Sequence, residues 1–370
     1  MLDALFIRDL GDGLILRHAA REDAEALAQF DSYIFRNAEN APLNQRVMAR
    51  VYDLAARPHP TFRASDFLIV EDTRTKSIVS SCNLISQTWV YEGIRFGVGR
   101  PEIVTTNPDY RNRGLVRTQF EVLHQWSAAR GELVQAITGI PFFYRQFGYE
   151  MAMPLSGGRV GIASDIPFLK EDEREPFQIR QTQVDDLPFI NELYEQGNRR
   201  SLVYCVRSAA LWQYELEGHS LDSASRPELR IIQTCNGAPL GFIAHYPTAP
   251  NSRFDILLYE LKPGVSWLKV TPSVLRYMKT TGETANSQSS QVTFRQFGFG
   301  FGPDHPAYQV IHSKLQITEP PYSWYLRVPD LPAFLQHIAP VLEQRITGSS
   351  ARNYTGELKI SFYRSGLTLR

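Results

Sequence analysis

Apolar positions along this 370-residue chain follow two rhythms, and one arrangement of them occurs twice. Leu14, Ile15, Leu16 and Arg17 form a short apolar stretch. His18 to Glu22 follow, then Asp23 and the helically spaced Ala24, Leu27 and Phe30. Phe177, Gln178, Ile179 and Arg180 repeat the theme, with Asp185 and Asp186 ahead of Leu187, Phe189, Ile190 and Leu193. The step from Arg17 to Asp23 equals that from Arg180 to Asp186. Each copy predicts a strand, a turn with an acidic capping signal, and an amphipathic helix. A tandem duplication is expected, joined through Ile166 to Pro176, where Lys170 to Glu175 form one charged block.

Within the first copy, Phe67 to Glu71 and Ile78 to Leu84 are rich in β-formers and predict an antiparallel hairpin across Asp72 to Lys76. Ile94 to Thr106 reads as extended. Val116, Phe120, Leu123 and Trp126 then recur at helical spacing, with Arg130 and Gly131 as the stop and Leu133 to Thr138 as the next buried strand. A third unit begins near Val328. Leu331, Phe334, Leu335, Ile338, Val341 and Leu342 have helical spacing, and Glu357 to Tyr363 alternates toward a Ser365-Gly366 turn. The second hairpin arm, Leu367 to Arg370, has only four residues, so this unit is expected to be incomplete.

Composition narrows the function classes. Thirty-nine basic residues balance thirty-nine acidic ones, which argues against wholesale neutralisation of nucleic-acid or membrane phosphates; any phosphate site must be local. Cys82, Cys205 and Cys235 are odd in number and form no CxxC pair, so a disulfide framework and a thiolate zinc site are unsupported and a reducing compartment is expected. Met1 to Asp12 lacks the pattern of a signal peptide, and no apolar run approaches the roughly 20 residues of a membrane helix. The expectation is a cytoplasmic protein without nucleic-acid or membrane partners.

The chemistry concentrates in Glu102 to Val116, where an extended segment feeds a basic, glycine-containing turn that opens a helix. A helix N-terminus leaves about four amide donors unpaired and carries partial positive charge, so it suits a phosphate. Gly114 permits close backbone approach, and Arg111, Arg113 and Arg117 add positive charge where a diphosphate would sit.

The run Thr105 to Arg117, TTNPDYRNRGLVR, resembles the acetyl-CoA pyrophosphate loop of GNAT N-acetyltransferases, Q/R-x-x-G-x-G/A, with Arg111 and Gly114 at its first two anchors. Val116 stands where the generic motif has Gly or Ala, a departure that resembles the Eis-like branch. Tyr144 to Tyr149, YRQFGY, is similar to the Y-x-x-F-G-Y/F signature that closes the GNAT core. The resemblance implies an α/β (α+β) architecture of two tandem GNAT folds, each a mixed, mostly antiparallel sheet flanked by helices, plus a partial sterol-carrier-like unit. The divisions it implies are 1–165 for a catalytic acetyl-CoA-binding domain, 172–325 for a second, degenerate GNAT domain and 326–370 for the C-terminal unit. In the second copy the loop is Leu261 to Ser266; it lacks the arginines, and Pro263 removes an amide donor, so no cofactor is expected there.

By the same resemblance, Val104, Thr105, Thr106, Arg111, Asn112, Arg113, Gly114, Leu115, Val116, Arg117, Gly139 and Ile140 would contact acetyl-CoA, the acyl donor. Tyr144 would protonate the leaving thiolate, and Glu102 is the candidate acceptor of the amine proton. The implied reaction is direct attack of a primary amine in a ternary complex, with no metal, in a homo-oligomer that is a trimer or hexamer. In Eis-like enzymes the terminal carboxylate is the implied base, a role that Arg370 in a short hairpin does not inherit. Because no proton acceptor is secure, a catalytically inactive acyl-CoA-binding regulatory or scaffold protein stays open as the alternative. Other patterns carry less. The FGFGFG run at Phe297 to Gly302 lacks dinucleotide-loop spacing and reads as a strand or turn, and the eight histidines form no metal motif. The identity of the amine is not legible; polycationic aminoglycoside-like amines, small metabolites and protein lysines are all compatible.

Overall fold

The computed structural model describes residues 6–247, 252–287, 293–362 and 366–369. Met1, Tyr363, Ser365 and Arg370, named above, lie outside the described residues.

The N-terminal half runs β1 (Phe6–Gly11), β2 (Leu14–His18), α1 (Ala24–Ile34), α2 (Gln45–Ala56), β3 (Phe67–Asp72), β4 (Ser77–Tyr91), β5 (Ile94–Thr106), α3 (Leu115–Ala129), β6 (Val134–Ile137) and β7 (Glu150–Leu155). The β3–β4 hairpin is antiparallel, and β5 runs antiparallel to β4 and parallel to β6. Phe67 to Val70 are fully buried because helices cover both faces of the sheet. Side chains alternate across a strand, so Leu68 and Val70 pack with Leu115, Val122 and Leu123 of α3. Phe67 and Ile69 pack instead with Leu27 of α1 and Val51 and Leu54 of α2.

The rest of the chain comprises β8 (Gly158–Ile162), β9 (Phe177–Gln181), α4 (Leu187–Asn198), β10 (Val203–Cys205), α5 (Ala209–Gln213), β11 (Glu228–Thr234), β12 (Pro239–His245), β13 (Arg253–Leu261), α6 (Trp267–Ser287), β14 (Gln296–Phe299), α7 (Pro306–Val310), β15 (Ile317–Glu319) and β16 (Tyr322–Arg327). After it come α8 (Leu331–His337), α9 (Ala339–Thr347), β17 (Leu358–Ser361) and β18 (Gly366–Leu369). The FGFGFG run supplies β14, parallel to β13, with Phe297 and Phe299 buried.

The sequence repeat has a physical basis. Arg17 Nη1 and Nη2 donate to the Asp23 carboxylate at 2.8 Å while Nε donates to Glu71 on the neighbouring strand at 2.7 Å. Arg180 grips Asp186 at 2.6 and 2.8 Å, and its Nε donates to Gln233 on its own neighbour at 2.7 Å. Both aspartates also accept a backbone amide three residues back, from Ala20 and Gln183. The acidic residue thus holds the strand's arginine and the entry to the helix together.

The two sheets trade strands. The first runs β1-β2-β3-β4-β5-β6-β16-β7, with β10 also on β4; the second runs β15-β8-β14-β13-β12-β11-β9. β16, from the end of the second half, inserts between β6 and β7, and β8, from the first half, inserts between β14 and β15. Divisions at 165 and 325 therefore follow chain order but not the sheets: the first leaves β8 behind, and the second cuts β16. The C-terminal unit docks on the β4–β5 turn through Phe334 against Phe96, ring centres 5.4 Å apart, and Arg345 to Glu92 at 2.7 Å.

Candidate active site

β5 and β6 pair only at Val98 with Val134 and Gly99 with Gln135, then part. From Arg100 onward that edge of β5 has no strand partner among the described residues. The other edge carries a bulge: Ser81 opposes Thr105 and Asn83 opposes Glu102, so Ile103 and Val104 face the single Cys82. Ile103 adopts φ 51°, a left-handed conformation costly for a β-branched residue. Such strain persists where surrounding structure fixes it, and it redirects the backbone of Val104.

A cleft of about 640 Å³ opens beside this segment, walled by Val104 to Thr106, by Arg111, Asn112, Gly114, Leu115, Val116 and Arg117 at the start of α3, and by Ile140 and Tyr144. Gly114 sits at φ 74° as the residue preceding α3, a position glycine takes without a steric cost, and its side leaves the helix amides open. The cleft therefore joins a free strand edge to a helix N-terminus and two arginines, a donor set that fits a diphosphate carrying a long amide-bearing arm. Two expected contacts fall outside its lining. The Arg113 guanidinium lies over the Tyr110 ring, 4.9 Å from its centre, and Tyr110 in turn donates to Asp72 at 2.9 Å. Gly139 packs against the Tyr144 ring, and its carbonyl accepts from Tyr322 at 2.6 Å.

Tyr144 lies in the turn Phe143–Phe147 and is buried among Phe120, Tyr149 and Tyr325. Burial, aided by nearby Cys82 and Tyr325, pushes its phenol up to about 12, so it stays protonated at neutral pH. Its hydroxyl has no hydrogen-bond partner among the described residues.

Glu102 lines a different cavity, of about 740 Å³, on the far side of the parting strands. Its carboxylate is shared by Arg50 and Arg100. Burial works against its charge, but the two guanidiniums outweigh it and hold the carboxyl below the usual range. The sequence offered Glu102 as a proton acceptor; held this way it is a weak base. The two cavities adjoin: Glu102 and Thr138 line one, Val104 and Ile140, two residues on, line the other.

The family model of the acetyltransferase (GNAT) domain matches residues 16–152. Over this segment, rather more than a third of the chain, the protein is similar to a GNAT acetyltransferase domain. Among solved structures, a conserved protein of Enterococcus faecalis superposes with a TM-score of 0.59 at 17% identity, over 88% of this chain and 75% of its own. A GCN5-related N-acetyltransferase from Kribbella flavida gives 0.57 at 17%, covering 86% and 72%. The N-myristoyltransferase of Saccharomyces cerevisiae, solved with bound myristoyl-CoA, gives 0.58 at 11%, covering 87% and 80%. At these identities the likeness is one of fold. No curated protein sequence matches the chain.

Other residues complete the cleft lining: Gln146 and Phe147 from the YRQFGY run, Phe143 just before it, and Ile34 and Phe35, which neither motif contains. Behind Thr105 lies Asp31, fully buried, whose Oδ1 accepts from Ser81 and Thr105 at 2.6 Å each. Lost hydration pushes its carboxyl up to about 7. From β16, Tyr325 accepts the Phe142 amide and donates to Ile140 O, so a strand of the other half holds the loop before Tyr144. Only the six-residue Arg17–Asp23 spacing hinted at α1's placement; nothing local pointed to β16. Among the described residues, no helix is long and apolar enough to cross a membrane, and no group of three or more His, Cys, Asp or Glu is placed to hold a metal ion.

Proposed function

We propose that the chain transfers an acetyl group from acetyl-CoA to a primary amine. The observation that carries this reading is the meeting of two cavities where β5 and β6 part, one suited to a CoA-like donor and the other open to an acceptor. Arg111, Arg117 and the first amides of α3 would hold the diphosphate; the free edge of β5 at Val104 to Thr106 would orient the acyl arm. Acetyl-CoA, when bound, supplies the acyl carbon and the sulfur leaving group. The amine approaches from the Glu102 side, and its nitrogen takes the acyl carbon as the carbon–sulfur bond breaks. Tyr144 would give its Oη proton to that sulfur as the bond breaks, the surplus amine proton would pass to solvent water in the acceptor cavity, and Tyr144 would regain a proton from solvent before the next turnover. Glu102, tied to two arginines, orients the amine as a hydrogen-bond acceptor and is only a weak proton acceptor.

The reading extends to tandem GNAT folds, the second without a CoA site: its loop at Leu261 to Ser266 retains a left-handed glycine, Gly264 at φ 80°, but no arginine. An Eis-like assembly with a partial sterol-carrier-like unit, forming a cytoplasmic trimer or hexamer, belongs to the same proposal. The test is Tyr144→Phe. CoA release in the presence of amine should fall at least about a hundredfold, the low end for a general acid, with acetyl-CoA affinity within threefold. A wild-type chain that binds acetyl-CoA but never releases CoA to any amine would favour the inactive acyl-CoA-binding alternative.

A further inference from the structure

The acceptor cavity has a charge imbalance that selects among amines, on the reading that the chain is an acyltransferase. Three guanidiniums line it: Arg50, Arg95 and Arg100. One carboxylate, Glu102, is divided between Arg50 and Arg100, which each spend one Nη on it. Arginine has five N–H donors, so most of theirs remain unspent. Arg100 Nε is buried without a partner, and its guanidinium stacks over Trp324 at 4.8 Å, which fixes its plane. The Arg95 side chain has no acidic partner among the described residues.

The other acids nearby are already engaged. Glu215, the second carboxylate in the lining, lies 3.4 Å from His219 and is stabilised as an anion by His219 and Arg207. Glu132 lies behind the wall and accepts from Ser86 at 2.5 Å. Burial holds His59 down to about 4, so it adds no positive charge at neutral pH. What remains facing the cavity is planar, multidentate and cationic. A polycationic acceptor placed there would meet like charge, whereas a carboxylate matches the fork geometry of a guanidinium and satisfies two donors at once.

We propose that the acceptor is a small amine that also carries a carboxylate, with Arg95 and Arg100 as the residues that select it and Glu102 oriented toward its amine. The apolar part of the lining, Leu54, Ile85, Leu155 and Leu211, accommodates the body of such a molecule.

The experiment uses the full chain and matched pairs that differ in the anionic group: phenylalanine with phenethylamine, lysine with cadaverine, and O-phosphoethanolamine with ethanolamine. Binding is measured by calorimetry with CoA present, and turnover by CoA release from acetyl-CoA. The carboxylated members should bind at least tenfold more tightly and show at least tenfold higher kcat/KM. Arg95→Glu, at an exposed side chain where folding is not at stake, should abolish or invert that preference. Equal or better binding of the decarboxylated partners overturns the proposal, as does a preference untouched by Arg95→Glu. Preference for the phosphate member over the carboxylates overturns the choice of carboxylate. Arg95-dependent binding of carboxylates without CoA release upholds this proposal while removing the acyltransfer reading, so the two failures are distinguishable.

Discussion

Asp31→Asn offers a direct test of how the buried polar cluster behind the cleft is held. Asp31 is fully buried, accepts two hydroxyls through Oδ1, and leaves Oδ2 without a partner. With the folded-state carboxyl at about 7 against an ordinary 3.8, the folded chain keeps a proton that the unfolded chain has already lost between those pH values. Stability from this group therefore falls as pH rises through that window and levels off above about 7, a cost of roughly 4 kcal/mol when both states are ionised. Asparagine keeps the acceptor oxygen and cannot ionise. Relative to wild type, Asp31→Asn should gain about 3 kcal/mol between pH 4.5 and pH 8. Urea unfolding of both proteins at the two pH values, followed by tryptophan fluorescence, reads this difference. A stability difference that stays constant to within about 0.5 kcal/mol would refute the reasoning, because the carboxyl would then titrate alike in both states.

Four further outcomes are expected. Arg117→Ala should weaken acetyl-CoA binding by about 1.5–3 kcal/mol, the scale of a lost charge-assisted hydrogen bond. Arg113→Ala, whose guanidinium lies over the Tyr110 ring at the rim of the cleft without itself lining it, should weaken binding less than Arg117→Ala; calorimetric titration compares them, and a reversed order would displace the diphosphate from Arg117. Tyr325→Phe should loosen the Gly139 to Phe142 loop and raise the KM for acetyl-CoA with a smaller effect on unfolding, read by steady-state kinetics beside a urea melt. Arg17→Met leaves Asp23 and Glu71 unpaired beneath a mostly buried side chain and should destabilise the chain by roughly 3–5 kcal/mol, checked by the shift in urea midpoint.

What was legible in the sequence was local. The α3 stripe, the β3–β4 hairpin and the loop from Arg111 to Gly114 each depend on neighbours within a few residues, so spacing revealed them. Arg17 and Asp23 were visible because strand, turn and helix lie within one short step, and Arg180 and Asp186 reproduce it. The motif places Arg113 at the diphosphate, but charge alone cannot tell which way a side chain turns; here the guanidinium lies over Tyr110, a ring of the cleft wall that donates to Asp72. Glu102 read as a candidate proton acceptor because Arg50, one of its two arginine partners, comes from α2, 52 residues away. The exchange of β8 and β16 had no local signal either, since strands that swap sheets carry the same alternation as strands that stay.

That exchange sets the order in which a newly made chain becomes able to work. Phe142, in the loop that leads to Tyr144, is held by Tyr325, 183 residues further along. At about 5–20 residues per second, a ribosome needs roughly 10 to 40 s to travel from one to the other. During that interval β6 and β7 face each other across an empty slot, each exposing an unpaired edge of the kind that templates aggregation. The nascent N-terminal half thus carries that exposure until β16 is made, and the loop before Tyr144 is among the last parts of the molecule to set.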